Sequence, residues 1–172
     1  MNKWDIRFLK LAKQVSTWSK DPSTKVGAVI ANGKHVVSLG YNGWPKNVED
    51  CSGRYKNRKL KHKYVIHAEE NAIQTAAQSS LKGFTIYSTL FPCTHCTSLI
   101  IQNEISRVVS VNRRVDKQSI NLFNESNTEV TIYDFISKDA NELHPPYDYT
   151  TEEKVQVSLW RRALSYGSKI FK

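Results

Sequence analysis

The sequence holds one histidine and two cysteines whose types and spacing suit a metal ion. His67 lies in the stretch HAEENAI, and Cys93 and Cys96 form a C-x-x-C pair in LFPCTHC. One imidazole nitrogen and two thiolates suit Zn²⁺, and three protein ligands leave the fourth tetrahedral position open for water, as catalytic zinc sites do. These residues therefore predict one catalytic Zn²⁺ per chain.

The two cysteines also stand where a helix is expected to begin. Pro92 precedes them, and proline is favoured in the first turn of a helix. Residues three apart at a helix start can face the same way, and the positive end of the helix favours thiolates. His67 opens a second predicted helix, 67–78, so we expect two helix N-termini to point at one ion.

Glu69 follows the histidine by two residues and therefore points in a different direction from the ligand. It can reach the water on the metal without occupying the metal. Zn²⁺ lowers the pKa of its bound water to about 7, and a nearby carboxylate can take that proton and pass it to a substrate. We predict that Glu69 is the catalytic proton shuttle and that Glu70 is solvated.

Each part of this pattern has a simpler interpretation when it stands alone. A C-x-x-C pair is also typical of redox sites and of half a structural zinc site, and His-x-Glu is most often a helix start with surface charge. Together, H-x-E followed by P-C-x-x-C is the general signature of zinc-dependent nucleobase deaminases. In that reaction a water activated by zinc attacks the ring carbon that bears the exocyclic amine, and the glutamate moves the protons. Cytosine would become uracil.

The composition indicates a globular chain of one ordinary domain. It has 172 residues, of which 40% are hydrophobic, and a net charge of +9. That charge implies attraction to polyanions, which could be nucleic acid, free nucleotides or nothing specific. The first residues mix charges with apolar residues, and no apolar run is long enough to span a bilayer. We predict no membrane association and a location in the cytosol of a cell or of an infected host.

The first half of the chain predicts a helix, a hairpin and a long loop. Apolar residues at helical spacing predict a helix over Trp4 to Val15, and VGAVIANGKHVVSLGYNG predicts a β-hairpin that turns at Asn32-Gly33. The segment 44–64 is long, polar and basic, which is typical of a functional or disordered loop.

Strand and helix alternate in the second half. FTIYSTL, SRVVSV and TEVTIYDF predict strands, and CTHCTSLIIQNE and DKQSINLFNES predict the helices between them. This alternation indicates an α/β fold with parallel crossovers. We predict a single domain over residues 1–172, with a core at about 4–135 and a C-terminal helical extension at about 150–167.

Four motifs in order, DPSTKVGAVI, GYNGWP, HAEENAI and LFPCTHC, resemble those of the deoxycytidylate deaminases, within the cytidine deaminase superfamily. The resemblance covers roughly Trp4 to Phe135. It implies a three-layer α/β/α fold with a mixed five-stranded sheet and helices on both faces. It also implies hydrolysis of dCMP to dUMP and ammonia, which supplies dUMP for thymidylate synthesis.

The same resemblance assigns roles to individual residues. His67, Cys93 and Cys96 match the zinc ligands and Glu69 matches the proton donor. The resemblance implies that Asn42 contacts the sugar. The proposed chemistry adds backbone groups near Ala68 as a contact for the base edge. Arg114 stands where the sequence departs from the family, and there it either contacts the phosphate or marks a different pocket. Without the resemblance, the Asn-Gly pair in GYNG would predict only a turn.

The family is also regulated, with dCTP as activator and dTTP as inhibitor at subunit interfaces, typically in hexamers. The resemblance therefore implies a homo-oligomer with an effector site, and Mg²⁺ alongside a triphosphate effector. The candidate effector contacts are Lys25, Gly40, Tyr41, Gly43, Arg54 and Arg58. The two arginines offer planar forks that suit phosphate.

The sequence departs from the family pattern in three places. Residues 46–48, Lys-Asn-Val, stand where the family often has a glycine-dependent turn, and Asn112-Arg113-Arg114 stand where some members carry an aromatic residue. Cys51 has no cysteine nearby and is expected to be a lone thiol, with a second metal site shared with His62 as the alternative. His95 is expected to be exposed and not to be a fourth ligand.

Two other classes of protein remain open at this stage. A polynucleotide deaminase acting on tRNA or single-stranded DNA would share the zinc core and use the net charge for phosphate contacts. A nonenzymatic zinc-binding module would keep the three ligands but would not need Glu69. The four motifs favour the mononucleotide enzyme, and we expect no stable nucleic-acid partner.

Overall fold

A five-stranded sheet forms the centre of the protein in a computed structural model that describes residues 2–111 and 114–133. The strands are β1 (Gly27–Asn32), β2 (His35–Tyr41), β3 (Thr85–Ser88), β4 (Arg107–Val111) and β5 (Glu129–Tyr133). Their order across the sheet is β2-β1-β3-β4-β5. β1 runs antiparallel to both of its neighbours, whereas β3, β4 and β5 run parallel to one another. The sheet is therefore mixed, as predicted.

Helices cover both faces of this sheet. They are α1 (Lys3–Ser16), α2 (Ser52–Lys56), α3 (Arg58–Tyr64), α4 (Ala68–Thr75), α5 (Thr94–Gln102) and α6 (Lys117–Glu125). α1 packs on one face of the sheet, and α4, α5 and α6 pack on the other. The predicted three-layer α/β/α arrangement is confirmed.

Alternate residues of the strands enter two separate cores, because successive side chains of a strand point to opposite faces. Tyr87 of β3 packs against Phe8 of α1 in one core. Its neighbour Ile86 lies in the other core with Phe123 of α6. The same alternation turns Ser88 toward the face that α4 and α5 cover.

The β1–β2 hairpin forms where the sequence predicts it. Asn32 pairs with His35 across a tight turn, and Gly33 in that turn has a φ of +58°. This left-handed conformation strains residues that carry a Cβ, so glycine suits the position. A register shift between Ile30 and Ala31 marks a bulge in the hairpin.

Gly40 lets α4 approach β2 closely. A Cβ on this residue would stand 2.2 Å from the carbonyl oxygen of Ala68 and 2.4 Å from the backbone nitrogen of Ala72. Both atoms belong to the backbone of α4 and cannot rotate away. The glycine therefore sets how deeply the first turn of α4 sits on the sheet.

The segment 44–64 differs from the predicted loop, because it contains the two short helices α2 and α3. Neither has a wide apolar stripe, and α3 buries none of its residues fully. α3 is held by polar contacts instead: the Asn57 side chain caps its first turn, and Lys61 pairs with the buried carboxylate of Asp21. Hydrophobic periodicity could not reveal helices stabilised in this way.

Two further differences concern boundaries. α4 ends at Thr75 and not at residue 78. The predicted C-terminal extension, at about 150–167, lies outside the described residues, as do Asn112 and Arg113. None of the helices in the described part of the chain is long and apolar enough to cross a membrane.

Candidate metal centre

Two helix starts on the same side of the sheet bring the three predicted ligands together. His67 is the residue that precedes α4, and Cys93 is the residue that precedes α5. Both have an extended backbone, and neither side chain accepts a hydrogen bond from its own helix. An N-cap side chain that makes no cap is available for another partner. Cys96 lies one turn into α5 and faces the same point.

The ligand atoms lie at distances that suit Zn²⁺. The Nδ1 atom of His67 is 3.4 Å from the sulfur of Cys93 and 3.3 Å from the sulfur of Cys96. Tetrahedral coordination with ordinary Zn–N and Zn–S bonds places nitrogen and sulfur about 3.5 Å apart. All three ligand atoms lie within 4.8 Å of one another. The donor set and its geometry therefore fit one zinc ion.

The cluster is closed on one side and open on the other. Cys96 is fully buried, whereas His67 and Cys93 are partly exposed. A site with three protein ligands and one accessible side can admit water or a substrate, which a closed four-ligand structural site cannot.

Hydrogen bonds among the three side chains shift the pKa of each of them. A hydrogen bond from the Cys96 thiol, helped by His67, lowers the pKa of Cys93 to about 3. Its hydrogen bond with Cys93, together with burial, raises the pKa of the Cys96 thiol. The hydrogen bond with Cys93 likewise raises the pKa of His67. A metal that binds two thiolates and a neutral imidazole must displace these protons, so metal binding here releases protons.

Glu69 lies beside the cluster without belonging to it. Its side chain is 3% exposed. One carboxylate oxygen, Oε1, accepts a hydrogen bond of 2.6 Å from the Ser88 hydroxyl, and the other, Oε2, lies 3.7 Å from the sulfur of Cys96. Burial raises the pKa of the Glu69 carboxyl, and this effect outweighs the hydrogen bond from Ser88 that lowers it.

Glu70 is only partly solvated, which differs in degree from the expectation. Its side chain is 18% exposed, it accepts a hydrogen bond from Gln74, and its Oε2 lies 3.6 Å from Nε2 of His95. His95 is 64% exposed and lies outside the ligand cluster, as predicted. Glu70 is covered because it faces the start of α5, where His95 stands.

The side chain of Asn42 is buried and makes several hydrogen bonds. Its oxygen accepts from the backbone of Val26 at 2.8 Å, and its nitrogen donates to the Thr24 carbonyl at 3.0 Å and to the Asp21 carboxylate at 3.3 Å. These bonds fix the amide against the segment that leads into β1. Asn42 thus holds that segment, and its predicted contact with a sugar stays a prediction.

Ala68 and Arg114 occupy the edge of the sheet where the metal centre lies. Ala68 is fully buried in the first turn of α4. Arg114 is exposed and follows the carboxyl end of β4, with a φ of +56°. β3 and β4 are parallel and Cys93 follows β3, so the arginine and the cluster share one sheet edge, the usual ligand side of α/β sheets.

Three of the candidate effector contacts lie in or just after β2, and each contacts a different part of the protein. Gly40 is covered by α4. Tyr41 packs edge-on against Trp18, and Gly43 pairs with Ile66, next to the ligand His67.

The remaining candidates are basic residues. Lys25 Nζ lies 3.5 Å from the Thr17 carbonyl. Arg54 lies over the Trp44 ring at 5.5 Å, and Arg58 donates to Nε2 of His62 at 3.2 Å. His62 therefore already has a partner, and Cys51 is a free thiol, as expected.

Sequence reasoning missed Ser88 and Asp21. Ser88 lies within the predicted strand FTIYSTL, and a strand alternates sides, but nothing in the sequence says which helix faces that strand. Asp21 lies in the DPSTK motif, where an aspartate before proline predicts only a turn. In the structure its buried carboxylate accepts hydrogen bonds from Ser23 and Asn42 and pairs with Lys61.

Comparisons with known proteins place this geometry in context. Residues 2–112 match the family described as the zinc-binding region of cytidine and deoxycytidylate deaminases. An uncharacterized deaminase of Aliivibrio fischeri is 41% identical over 140 residues, which cover 76% of this chain and 94% of that protein. A probable deoxycytidylate deaminase of Caenorhabditis elegans is 43% identical over 112 residues, which cover 63% of this chain and 57% of that protein. The chain thus spans little more than half of the nematode protein.

A solved structure is similar as well. The crystal structure of the dCMP deaminase from the cyanophage S-TIM5, in complex with dCMP and dUMP, matches with a TM-score of 0.67 at 25% identity. The match covers 77% of this chain and 99% of that chain.

Proposed function

Because the chain belongs to the family of cytidine and deoxycytidylate deaminases, we propose that it hydrolyses dCMP to dUMP and ammonia in a zinc-dependent reaction. The observation that carries this proposal is the cluster of His67, Cys93 and Cys96 with a buried carboxylate, Glu69, beside it. The product would serve thymidylate synthesis.

Each residue at the centre has a distinct part in the proposed reaction. His67, Cys93 and Cys96 would hold the zinc ion, which when bound activates a water molecule for attack on the base. Glu69 lies outside the ligand set, so its carboxylate is free to move protons. It would take one proton from the water and deliver it to the ring nitrogen of the cytosine. It would then move the second proton, from the hydroxyl added to the ring carbon, to the departing amine as the C–N bond breaks and the carbonyl forms.

The choice of dCMP as substrate rests on the relatives. The cyanophage deaminase was solved with dCMP and dUMP, and the nematode relative is a probable deoxycytidylate deaminase. In this chain, the proposed substrate contacts are Asn42 with the sugar, the backbone near Ala68 with the base, and Arg114 with the phosphate. Arg114 supports the proposal because it is an exposed cation on the same sheet edge as the cluster.

One substrate comparison tests the function. Zinc-loaded protein is incubated separately with deoxycytidine, dCMP, dCTP and a cytosine-containing DNA strand, and ammonia and uracil products are measured. We expect strong preference for dCMP. Activity on the DNA strand alone would favour the polynucleotide deaminase, and no turnover of any substrate by zinc-loaded protein would favour a nonenzymatic zinc module.

Regulation and assembly are a further part of the proposal, and they rest on the family resemblance. We propose activation by dCTP and inhibition by dTTP in a homo-oligomer, with Mg²⁺ accompanying the triphosphate, in the cytosol. The test measures the rate against dCMP concentration with and without dCTP. If Arg54 and Arg58 contact the effector, neutralising both should weaken the response to dCTP, whereas neutralising the exposed Lys59 in the same segment should not.

A further inference from the structure

We propose that Ser88 is a positioning residue for the deaminase reaction, because its hydroxyl holds one oxygen of Glu69 so that the other oxygen faces the metal-binding side chains. The inference rests on the proposed function, since it concerns the carboxylate that moves protons in that reaction. It adds a residue that lies outside the H-x-E and P-C-x-x-C motifs.

The contact between the two side chains is short and buried. The Ser88 hydroxyl donates to Oε1 of Glu69 over 2.6 Å, near the short end of the range for hydroxyl donors. Ser88 is 0% exposed and Glu69 is 3% exposed. Water therefore does not compete for either group. The carboxylate also accepts a hydrogen bond from the backbone of Glu69 itself, and Ser88 adds the side-chain restraint on Oε1.

The sheet fixes where the hydroxyl stands. Ser88 is the last residue of β3, and its backbone is paired with Ala28 of β1 on one side and with Ser110 of β4 on the other. Its oxygen also accepts a hydrogen bond from the backbone of Leu90 at 3.4 Å. A serine hydroxyl has one proton to donate, and here that proton goes to Glu69.

This restraint decides which way the carboxylate faces. The last torsion of a glutamate side chain has a broad energy profile, so the side chain alone does not select one orientation. With Oε1 bound to Ser88, Oε2 is turned toward the cluster and lies 3.7 Å from the sulfur of Cys96. A proton shuttle must hold such a geometry to act efficiently.

The chain offers a matched control for Ser88. Ser110 lies on the neighbouring strand, directly opposite Ser88, on the same face of the sheet, and is also 0% exposed. Its hydroxyl donates to the carbonyl of Val111 at 3.4 Å, so it serves the backbone of β4 and not Glu69. Removing either hydroxyl deletes one buried oxygen from the same layer.

The experiment compares Ser88→Ala with Ser110→Ala in zinc-loaded, full-length protein. For Ser88→Ala we expect kcat for dCMP to fall roughly tenfold to a hundredfold, the range for losing a hydrogen bond to a charged group. KM should stay unchanged, because Ser88 is too buried to touch a substrate. Zinc content should stay at one per chain. Ser110→Ala should keep the wild-type kcat and KM.

Crystal structures of the two zinc-loaded variants supply a readout that does not depend on activity. The Glu69 carboxylate should rotate in Ser88→Ala and keep its orientation in Ser110→Ala. Wild-type kcat in Ser88→Ala, an unmoved carboxylate, loss of zinc, or an equal fall in kcat in Ser110→Ala would each overturn the proposal. If wild type does not deaminate dCMP, the proposed function fails, and the two structures still decide whether Ser88 orients Glu69.

Discussion

At the scale of single residues, Glu69 meets two different parts of the protein with its two oxygens. One oxygen is bound by a strand residue, Ser88, and the other lies next to a proposed metal ligand, Cys96. A carboxylate held in this way can exchange a proton without leaving its place. The assignment of the proton transfer to Glu69 leads to a direct prediction.

We predict that Glu69→Gln keeps its zinc and loses turnover. Glutamine has nearly the same shape and can still accept from Ser88, but it cannot carry the proton, so kcat should fall by about 10²-fold to 10⁴-fold. Zinc content by metal analysis and kcat on dCMP check this. Glu70→Gln is the matched control, because Glu70 points toward His95 and should change kcat by no more than a few fold. Normal turnover in Glu69→Gln would remove its assigned role.

The grouping of the three candidate ligands is easier to predict from the sequence than the side chains around them. Ligand types and short spacings are local, and His67, Cys93 and Cys96 meet as the two predicted helix starts require. Ser88 could not be found this way, because its partner Glu69 depends on how β3 packs against α4. That packing is a long-range property, and a sequence gives no distances between elements.

At the scale of elements, Gly40 shows how a strand and a helix are spaced. Gly40→Ala should destabilise the protein by about 1–3 kcal/mol, the usual cost of overpacking, because the new methyl group meets the backbone of α4. Urea unfolding measures the loss. Gly53→Ala in α2 is the control: a Cβ there meets little beyond the Cys51 sulfur at 3.9 Å, so the unfolding free energy should change by less than about 1 kcal/mol. Equal effects of the two changes would contradict this account.

A second prediction concerns α1, which is fastened to the sheet by a buried carboxylate. Arg107 of β4 donates to both oxygens of Asp5, at 2.7 and 2.9 Å, and Tyr87 and Tyr133 donate as well. Burial raises the pKa of Asp5, but the hydrogen bonds and charge of Arg107 and the two tyrosine hydroxyls outweigh it, so the pKa lies below its ordinary value of 3.8.

The sign of the pH dependence follows from that shift. As the pH falls, Asp5 becomes protonated at about pH 4 in the unfolded chain and only at a lower pH in the folded chain. The stability from this group is therefore present at neutral pH and is lost as the pH falls through the lowered pKa. Asp5→Asn should cost about 3 kcal/mol at neutral pH, since Arg107 loses its buried partner and keeps only the exposed Glu129 as an ion-pair partner. The variant should also lose less stability than wild type between pH 5 and pH 3. Urea unfolding across this range checks it, and parallel curves for the two proteins would contradict it.

The elements themselves were predicted unevenly, for a physical reason. An apolar face is buried by each strand and by α1, α5 and α6. Apolar residues therefore recur in these segments at the spacing of a strand or a helix. α3 was missed because a capping asparagine and the ion pair between Lys61 and Asp21 replace apolar packing. α2 was missed because it has only five residues and buries only Tyr55, which is too little to form a period. The parallel pairing of the last three strands followed from the alternation of strand and helix.

In the folded chain taken together, a zinc ion bound by His67, Cys93 and Cys96 would link parts that are distant in sequence. A ligand that binds only the folded state, and whose free concentration is a thousand times its Kd, adds about 4 kcal/mol of stability. For a chain of this size that corresponds to roughly 10 °C in Tm.

We predict that removing zinc with a chelator lowers Tm by about this amount. Adding Zn²⁺ should restore it and adding Mg²⁺ should not, because thiolates are poor ligands for Mg²⁺. Calorimetry of the three samples is the measurement, and an unchanged Tm would show that the cluster binds no zinc.

The alternation of side chains along β3 has a consequence for how this chain can change in length. Tyr87 and Ser88 are neighbours, yet the first hydroxyl donates to Asp5 in the α1 layer and the second to Glu69 in the opposite layer. Inserting or deleting one residue before them within β3 would exchange their faces, so both hydrogen bonds would be lost together. Single-residue insertions and deletions should therefore be rejected in β3.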